Sequence, residues 1–312
     1  MSERRAHSQG TLMMIAVVLI WGSFLPVSKS ALQIIDPYWL SVLRFGAAAL
    51  AFLTLLVIRE GWAALNPQGQ FLRITLFGAL GLGGFAISLF EGLRLTRPEI
   101  TAMILAIGPV LTALFEWWSR KHRPDRITLI AIGFALIGEL LVITAGDIGR
   151  LSGGDWLGNG LALLAALFWT GYTLGGRQFP GWSPVRYSAL SCSAGWIALA
   201  LATGVAGWFG HSQPPTLTRM TEVWPQLIYI MLVVSIVALL LWNMAVVRLG
   251  ALSAGLFGNF TPVITYLIAL VQGRRPDTVE LFGAAVVLAA LVANNLHQRS
   301  RSLKTVKLAD DR

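Results

Sequence analysis

The sequence predicts an all-α polytopic membrane protein: ten transmembrane helices arranged as two inverted five-helix repeats. Three features predict this: the composition, the number of apolar runs long enough to cross a bilayer, and motifs that recur half a chain apart. Of the 312 residues, 55% are hydrophobic and 12% charged, and the mean hydropathy is +0.68. Soluble domains carry about 25% charged residues. These charges are too few to cover a water-facing surface, so most of the surface must face lipid. That excludes a soluble enzyme, a disordered regulator and a fibrous protein. The 32 glycines, 13 prolines and 12 tryptophans suit helices that pack closely, break within the bilayer and anchor at its interfaces.

A spanning helix needs about 20 predominantly apolar residues. Runs of that kind, bounded by charge, Gly or Pro, fall near 11–32, 38–58, 74–94, 98–118, 126–146, 156–177, 185–209, 223–247, 250–271 and 278–297. The first follows Glu3-Arg4-Arg5, as a secretory signal would, but it is too long and has no small-x-small exit, so it is read as a retained helix. Pro26 lies one turn beyond Trp21 in span one; it removes a backbone hydrogen bond and suits a bend that gates a pathway. Lys29 and Arg44 lie near the outer ends of spans one and two, placed either to snorkel or to turn inward toward a substrate carboxylate.

Span three presents Phe77, Gly81, Gly84, Ser88 and Glu91 on one face, with Phe85 beside Ser88; Glu91 and Arg94 have the spacing of a local ion pair. Span four presents Thr101, Leu105, Gly108 and Thr112. Such small-residue faces serve either tight helix packing or a substrate groove. Glu139 is the deep acid of span five. Gly153-Gly154-Asp155 forms a loop into span six, which carries Trp169 and Tyr172 and ends on Gly175-Gly176, a looser counterpart of Pro26. Cys192 in span seven is the single cysteine, which excludes an intramolecular disulfide or a Cys-based metal cluster. Span eight places Ser235 and Asn243 on one face with Trp242 beside them, and Asn259 precedes Pro262 in span nine. Amides in lipid bond either a neighbouring helix or a substrate.

The net charge of +9 is spread over short loops and the chain ends, without the dense basic helices of a nucleic-acid binder. With the N-terminus inside, the inner side collects sixteen Lys and Arg residues and the outer side six, which puts both termini in the cytoplasm. The outer pair Arg274-Arg275 runs against this trend. Trp39, Trp62, Trp117, Trp118, Trp156, Trp182, Trp208 and Trp224 sit near span ends, where an indole N–H stays hydrated; Trp21, Trp169, Trp196 and Trp242 lie deeper.

Leu19-Ile20-Trp21-Gly22-Ser23-Phe24 through Lys29 resembles Leu167-Phe168-Trp169-Thr170-Gly171-Tyr172 through Arg177, and Gly108-Pro109-Val110-Leu111-Thr112 resembles Thr261-Pro262-Val263-Ile264-Thr265. The matches keep their order, and an odd number of spans per half inverts the second half. The expected organisation is a cytoplasmic segment at 1–10, repeats at 11–147 and 148–297, and a basic cytoplasmic tail at 298–312.

On Trp21-Gly22-Ser23-Phe24, Arg44-Phe45 and the two Pro-Val segments, the chain resembles bacterial EamA-type members of the drug/metabolite transporter superfamily, and in length and tryptophan content it is similar to their aromatic amino acid exporters. It departs from the family pattern where Arg274 follows Gly273 and where Ser119-Arg120 takes the matching first-half place. The resemblance implies a central cavity bounded mainly by spans one, three, four, six, eight and nine, with spans five and ten peripheral, and alternating access by rocking bundles.

The expected function is export of small amphipathic metabolites, aromatic amino acids foremost, across the bacterial inner membrane. Trp21 and Trp169 suit an aromatic or amphipathic cargo; with Phe85, Ser88, Tyr172, Trp242 and Asn243 they form the expected substrate site, and Pro26, Lys29 and Arg44 the expected gate or path. A broader drug/metabolite exporter is the alternative, and an intramembrane enzyme or a channel are more distant ones. His7, His122, His211 and His297 are terminal or in loops, and no Gly-Lys-Ser/Thr phosphate loop is present, so neither catalysis nor direct use of ATP is expected. No cofactor, metal or nucleic-acid partner is expected; the partners are the bilayer and a small solute. One chain has spans enough to enclose its own pathway, so a monomer is expected.

Overall fold

The structure, a computed structural model, describes residues 3–120, 126–147, 155–250, 254, 257, 258 and 260–310. The described residues form helices and turns, with no strand among them. In chain order the helices are α1 (Glu3–Ala31), α2 (Pro37–Glu60), α3 (Phe71–Leu95), α4 (Pro98–Ala106), α5 (Gly108–Arg120), α6 (Arg126–Thr144), α7 (Asp155–Gly175), α8 (Pro184–Trp208), α9 (Leu217–Glu222), α10 (Trp224–Leu249), α11 (Thr261–Val271) and α12 (Thr278–Asp310). Six stretches, Ser8–Ala31, Pro37–Glu60, Phe71–Leu95, Trp156–Gln178, Pro184–Trp208 and Trp224–Leu249, are long and apolar enough to cross a bilayer. The chain is a multi-pass membrane protein.

The run expected at 98–118 is interrupted rather than continuous. The helix stops at Ala106, turns at Ile107 and restarts at Gly108. Pro109 explains the break: it lacks an N–H, so no hydrogen bond can run back from it. In the run expected at 250–271, the helix α11 likewise begins at Thr261 with Pro262 in its first turn. Asn259, Gly153 and Gly154 lie outside the described residues. Helix α12 continues through the expected tail to Asp310.

Helices α2 and α8 begin alike. Asp36 precedes Pro37 and accepts the Trp39 N–H at 3.0 Å; Ser183 precedes Pro184 and accepts the Arg186 N–H at 3.0 Å. Each cap satisfies a donor that the first helical turn leaves unpaired. The two helices also clasp end to end. Asp36 accepts Ser212 Oγ (3.1 Å) and the Gln213 N–H (3.2 Å) just past the end of α8, while Ser183 Oγ donates to Glu60 at the end of α2. The pair therefore packs antiparallel.

Helices α6 and α12 also pack antiparallel, through reciprocal glycine notches. A Cβ on Gly283 would lie 2.7 Å from the Gly138 carbonyl oxygen, and one on Gly138 would lie 2.8 Å from the Gly283 carbonyl oxygen. Gly283→Val is therefore expected to destabilise the protein by about 1–3 kcal/mol, the usual scale of overpacking. A lower melting midpoint in detergent checks this. Gly160→Ala, where nothing lies within 4 Å of the added methyl, is the control that should hold its midpoint.

Pro26 sits inside an unbroken α1, and its consequence is a contact. Lacking an N–H, it leaves the Gly22 carbonyl without its donor four residues on. Thr265 Oγ1 of α11 supplies one at 2.8 Å. Gly22 allows the approach, since a Cβ there would lie 2.4 Å from Ile264 Cβ. Two further helices change pitch: Ala79–Gly84 in α3 and Tyr229–Ala238 in α10 are wound as π-helix, a form often found at functional sites. The outer faces are apolar, with Trp62, Trp118 and Trp208 at 77%, 80% and 88% exposure near helix ends, where the interface would hold an indole.

Candidate functional site

Three indoles meet near the middle of the bundle. Trp21 of α1 meets Trp169 of α7 edge to face, at 5.3 Å between ring centres and 87° between planes. Trp242 of α10 lies 5.0 Å from Trp21 and 5.8 Å from Trp169, and Phe85 of α3 lies 5.2 Å from Trp169. The centre-to-centre distances are those of interacting aromatic pairs, and the edge-to-face pair has the angle that the ring quadrupoles favour. All four rings face a cavity of about 150 Å³, whose wall also includes Phe24, Leu82, Leu105, Gly108, Thr112, Thr173, Val234 and Thr261. The π-helical stretches of α3 and α10 contribute Leu82, Val234 and Ser235. The wall is overwhelmingly apolar, which suits the body of an amphipathic solute.

The structure brings Trp21, Phe85, Trp169 and Trp242 together and uses the other expected site residues differently. Tyr172 is fully buried behind the cavity, stacked on Tyr187 at 5.0 Å, and its hydroxyl accepts Asn243 Nδ2 at 3.1 Å. Asn243 Nδ2 also donates to Ser188 Oγ at 2.7 Å, so its amide joins α7, α8 and α10. Ser88 is buried but is not part of the cavity wall. Lys29 Nζ donates to the carbonyls of Leu93 (2.7 Å), Arg94 (2.9 Å) and Thr96 (2.9 Å). It caps the unpaired carbonyls at the end of α3, where the helix dipole favours a cation. Pro26 is likewise outside the wall. Trp196 is 39% exposed and packs on Gly46 between α8 and α2.

Arg44 does not snorkel. It is 5% exposed, lies in the cavity wall, and donates from Nε to Ser235 Oγ at 3.2 Å. Phe24, Phe45 and Phe90 surround its guanidinium, with Cζ 4.8, 4.7 and 5.1 Å from the ring centres. Its Nη1 is buried without a hydrogen-bond partner. Sequence reasoning singled out the cation but missed its cage, which draws rings from three helices and only in Phe45 from the adjacent position. It also missed Phe24 and Thr173 in the wall; Thr173 is one helical turn past Trp169, a spacing that places both on one face.

A second cluster of charge sits at helix ends. Arg274, in the turn after α11, bonds Glu280 at 2.6 Å and pairs with Glu99 at 2.9 Å; Arg97 approaches Glu280 at 3.6 Å and the Tyr266 hydroxyl donates to it at 3.2 Å. Burial works against the Arg274 charge, but the hydrogen bond to Glu280 and the two carboxylates outweigh it and hold its pKa above the ordinary arginine value. Glu99 and Glu280 occupy the first turns of α4 and α12, where the helix dipole favours an acid. The cluster explains why a cation is kept at Arg274. Glu91 and Arg94 form the expected local pair, at 2.9 Å.

Residues 8–144 and 156–296 each match the EamA-like transporter family. The chain is 31% identical over 302 residues to the uncharacterized transporter YrdR of Bacillus subtilis, covering 95% of this chain and 94% of that protein. It is 25% identical over 308 residues to the biotin transporter of Escherichia coli, covering 96% and 97%. A crystal structure with 21% identity has the same fold, with a TM-score of 0.65 over 93% of this chain and 98% of that one. Two matched segments that together span most of the sequence leave one conclusion: this chain belongs to the EamA-like transporter family.

Proposed function

We propose that this protein carries small amphipathic solutes with a flat ring across the bacterial inner membrane, by alternating access between two inverted five-helix repeats. The observation that carries the reading is the meeting of Trp21, Trp169 and Trp242 at one cavity, with Trp21 and Trp169 in corresponding spans of the two halves. Four features support the inverted repeat. Corresponding helices α2 and α8 are antiparallel, and so are α6 and α12. π-Helical stretches occur in spans three and eight, and Pro-Val segments open a helix within spans four and nine. Both termini then lie in the cytoplasm, and one chain encloses the path.

The cargo expected from the sequence was an aromatic amino acid. The biotin transporters among the relatives add a second ring-bearing acid to the candidates, and export of a wider metabolite range is the broader reading. With no acid in the cavity wall among the described residues, facilitated movement is favoured over proton coupling. Counterflow in proteoliposomes, with tryptophan, biotin and a cationic dye as labelled solutes, tests the proposal. Saturable, trans-stimulated flux of a ring-bearing solute is the expected result. Leak without saturation, or ionic current typical of an open pore, would refute it.

A further inference from the structure

A guanidinium buried at bilayer depth is costly and is retained where something uses it. Arg44 lies eight residues into a helix of 24 and is one of the few ionisable groups so placed. Among the described residues no carboxylate forms an ion pair with it, and no Asp or Glu lines the cavity. Its position is nevertheless fixed. Three phenyl rings hold its faces, and Ser235 holds Nε while donating to the Ile230 carbonyl at 2.8 Å, inside the π-helical stretch of α10. What the protein leaves unfilled is an acceptor: the buried Nη1 has none, and the hydroxyls of Thr173 and Thr261, two further residues of the wall, are buried without a partner as well.

We propose that Arg44 is the anchor for a carboxylate on the transported solute, so that this carrier selects small ring-bearing monoanions. The inference rests on the transport reading above and narrows it. A planar guanidinium gives a carboxylate two parallel N–H donors, which fixes its orientation as well as its charge. The indoles of the same cavity wall then take the apolar body. A zwitterion gains less, because its ammonium would find no anionic group in the described wall and would enter an apolar site unpaired. The geometry thus favours a simple aromatic or bicyclic acid over the corresponding amino acid.

The test uses one ring with four head groups: indole-3-acetate (anion), tryptophan (zwitterion), tryptamine (cation) and indole-3-acetamide (neutral). Binding to the purified full-length carrier and counterflow are measured at neutral pH. Indole-3-acetate is expected to be preferred over the other three by about tenfold or more, the scale of one charge-assisted pair. Arg44→Gln should bring the anion level with the amide, and Arg44→Lys should restore part of the preference. Ser235→Ala, which keeps the guanidinium but removes the oxygen that holds its Nε, should weaken it and serves if Arg44→Gln does not fold. Equal acceptance of anion and amide by the unaltered protein, or an anion preference that survives Arg44→Gln, overturns the proposal while saturable flux of any ring-bearing solute keeps the transport reading alive. Absence of saturable flux for every solute defeats both.

Discussion

Trp21→Ala and Trp169→Ala should each raise the half-saturating solute concentration about 30-fold or more, because either change removes one wall of the cavity and the contacts that aim its neighbours. Trp21 loses its edge-to-face partner at 5.3 Å and its contact with Trp242 at 5.0 Å. Aromatic pairs of this kind contribute about 0.5–1.5 kcal/mol beyond the area they bury. Loss of ring area against the solute brings the total to about 2 kcal/mol, and each 1.4 kcal/mol is a factor of about ten. Trp21→Phe keeps a ring and should retain most of the affinity. Trp196→Ala, which loses only a half-exposed ring packed on Gly46, should leave flux unchanged. Concentration-dependent counterflow reads all four variants. Unchanged flux and selectivity in both alanine variants would move the binding site elsewhere in the fold.

The largest stability effect is expected at Arg274. Its replacement by Ala leaves Glu99 and Glu280, whose side chains are only 7% and 2% exposed, facing one another's neighbourhood without their shared cation. Breaking a buried pair by removing one partner costs about 3–5 kcal/mol, since the remaining charge has neither water nor a counterion. Arg97, at 3.6 Å from Glu280, compensates only in part. The melting midpoint in detergent should fall by several degrees. Adding Glu280→Gln to Arg274→Ala removes one stranded charge and should recover a measurable share, the sign of direct coupling between neighbours. Additive losses in the double variant would show that the residues act independently.

Six of the spans were legible because each is set by its own composition, an apolar run between charges; the recurring Trp and Pro-Val segments are what suggest the proposed correspondence of the halves. Pro109 was visible too, but whether a proline bends, breaks or merely loosens a helix depends on what takes up the freed backbone. At Pro26 that partner is Thr265, more than two hundred positions along the chain. Long-range partners account for the other surprises. Lys29 was separated from Trp21 by a recognisable interval, yet its use as a cap depends on where α3 ends. Asn243 offered an amide in lipid, a signal equally suited to cargo or to a neighbouring helix, and Tyr172 and Ser188 claimed it. The π-helical stretches have no distinctive residue pattern. One of them places Ser235 within reach of Arg44.

The end-to-end clasps between α2 and α8 constrain how such a carrier can move. Because the Asp36 bonds fasten one extremity and the Ser183–Glu60 bond the other, the two helices cannot slide past each other without breaking both, nor splay at one end without breaking the clasp there. They act as a strut. If the cavity opens by the alternating access proposed above, it should pivot about that strut, so conformational labels attached to α2 and α8 should hold a constant separation through the proposed cycle.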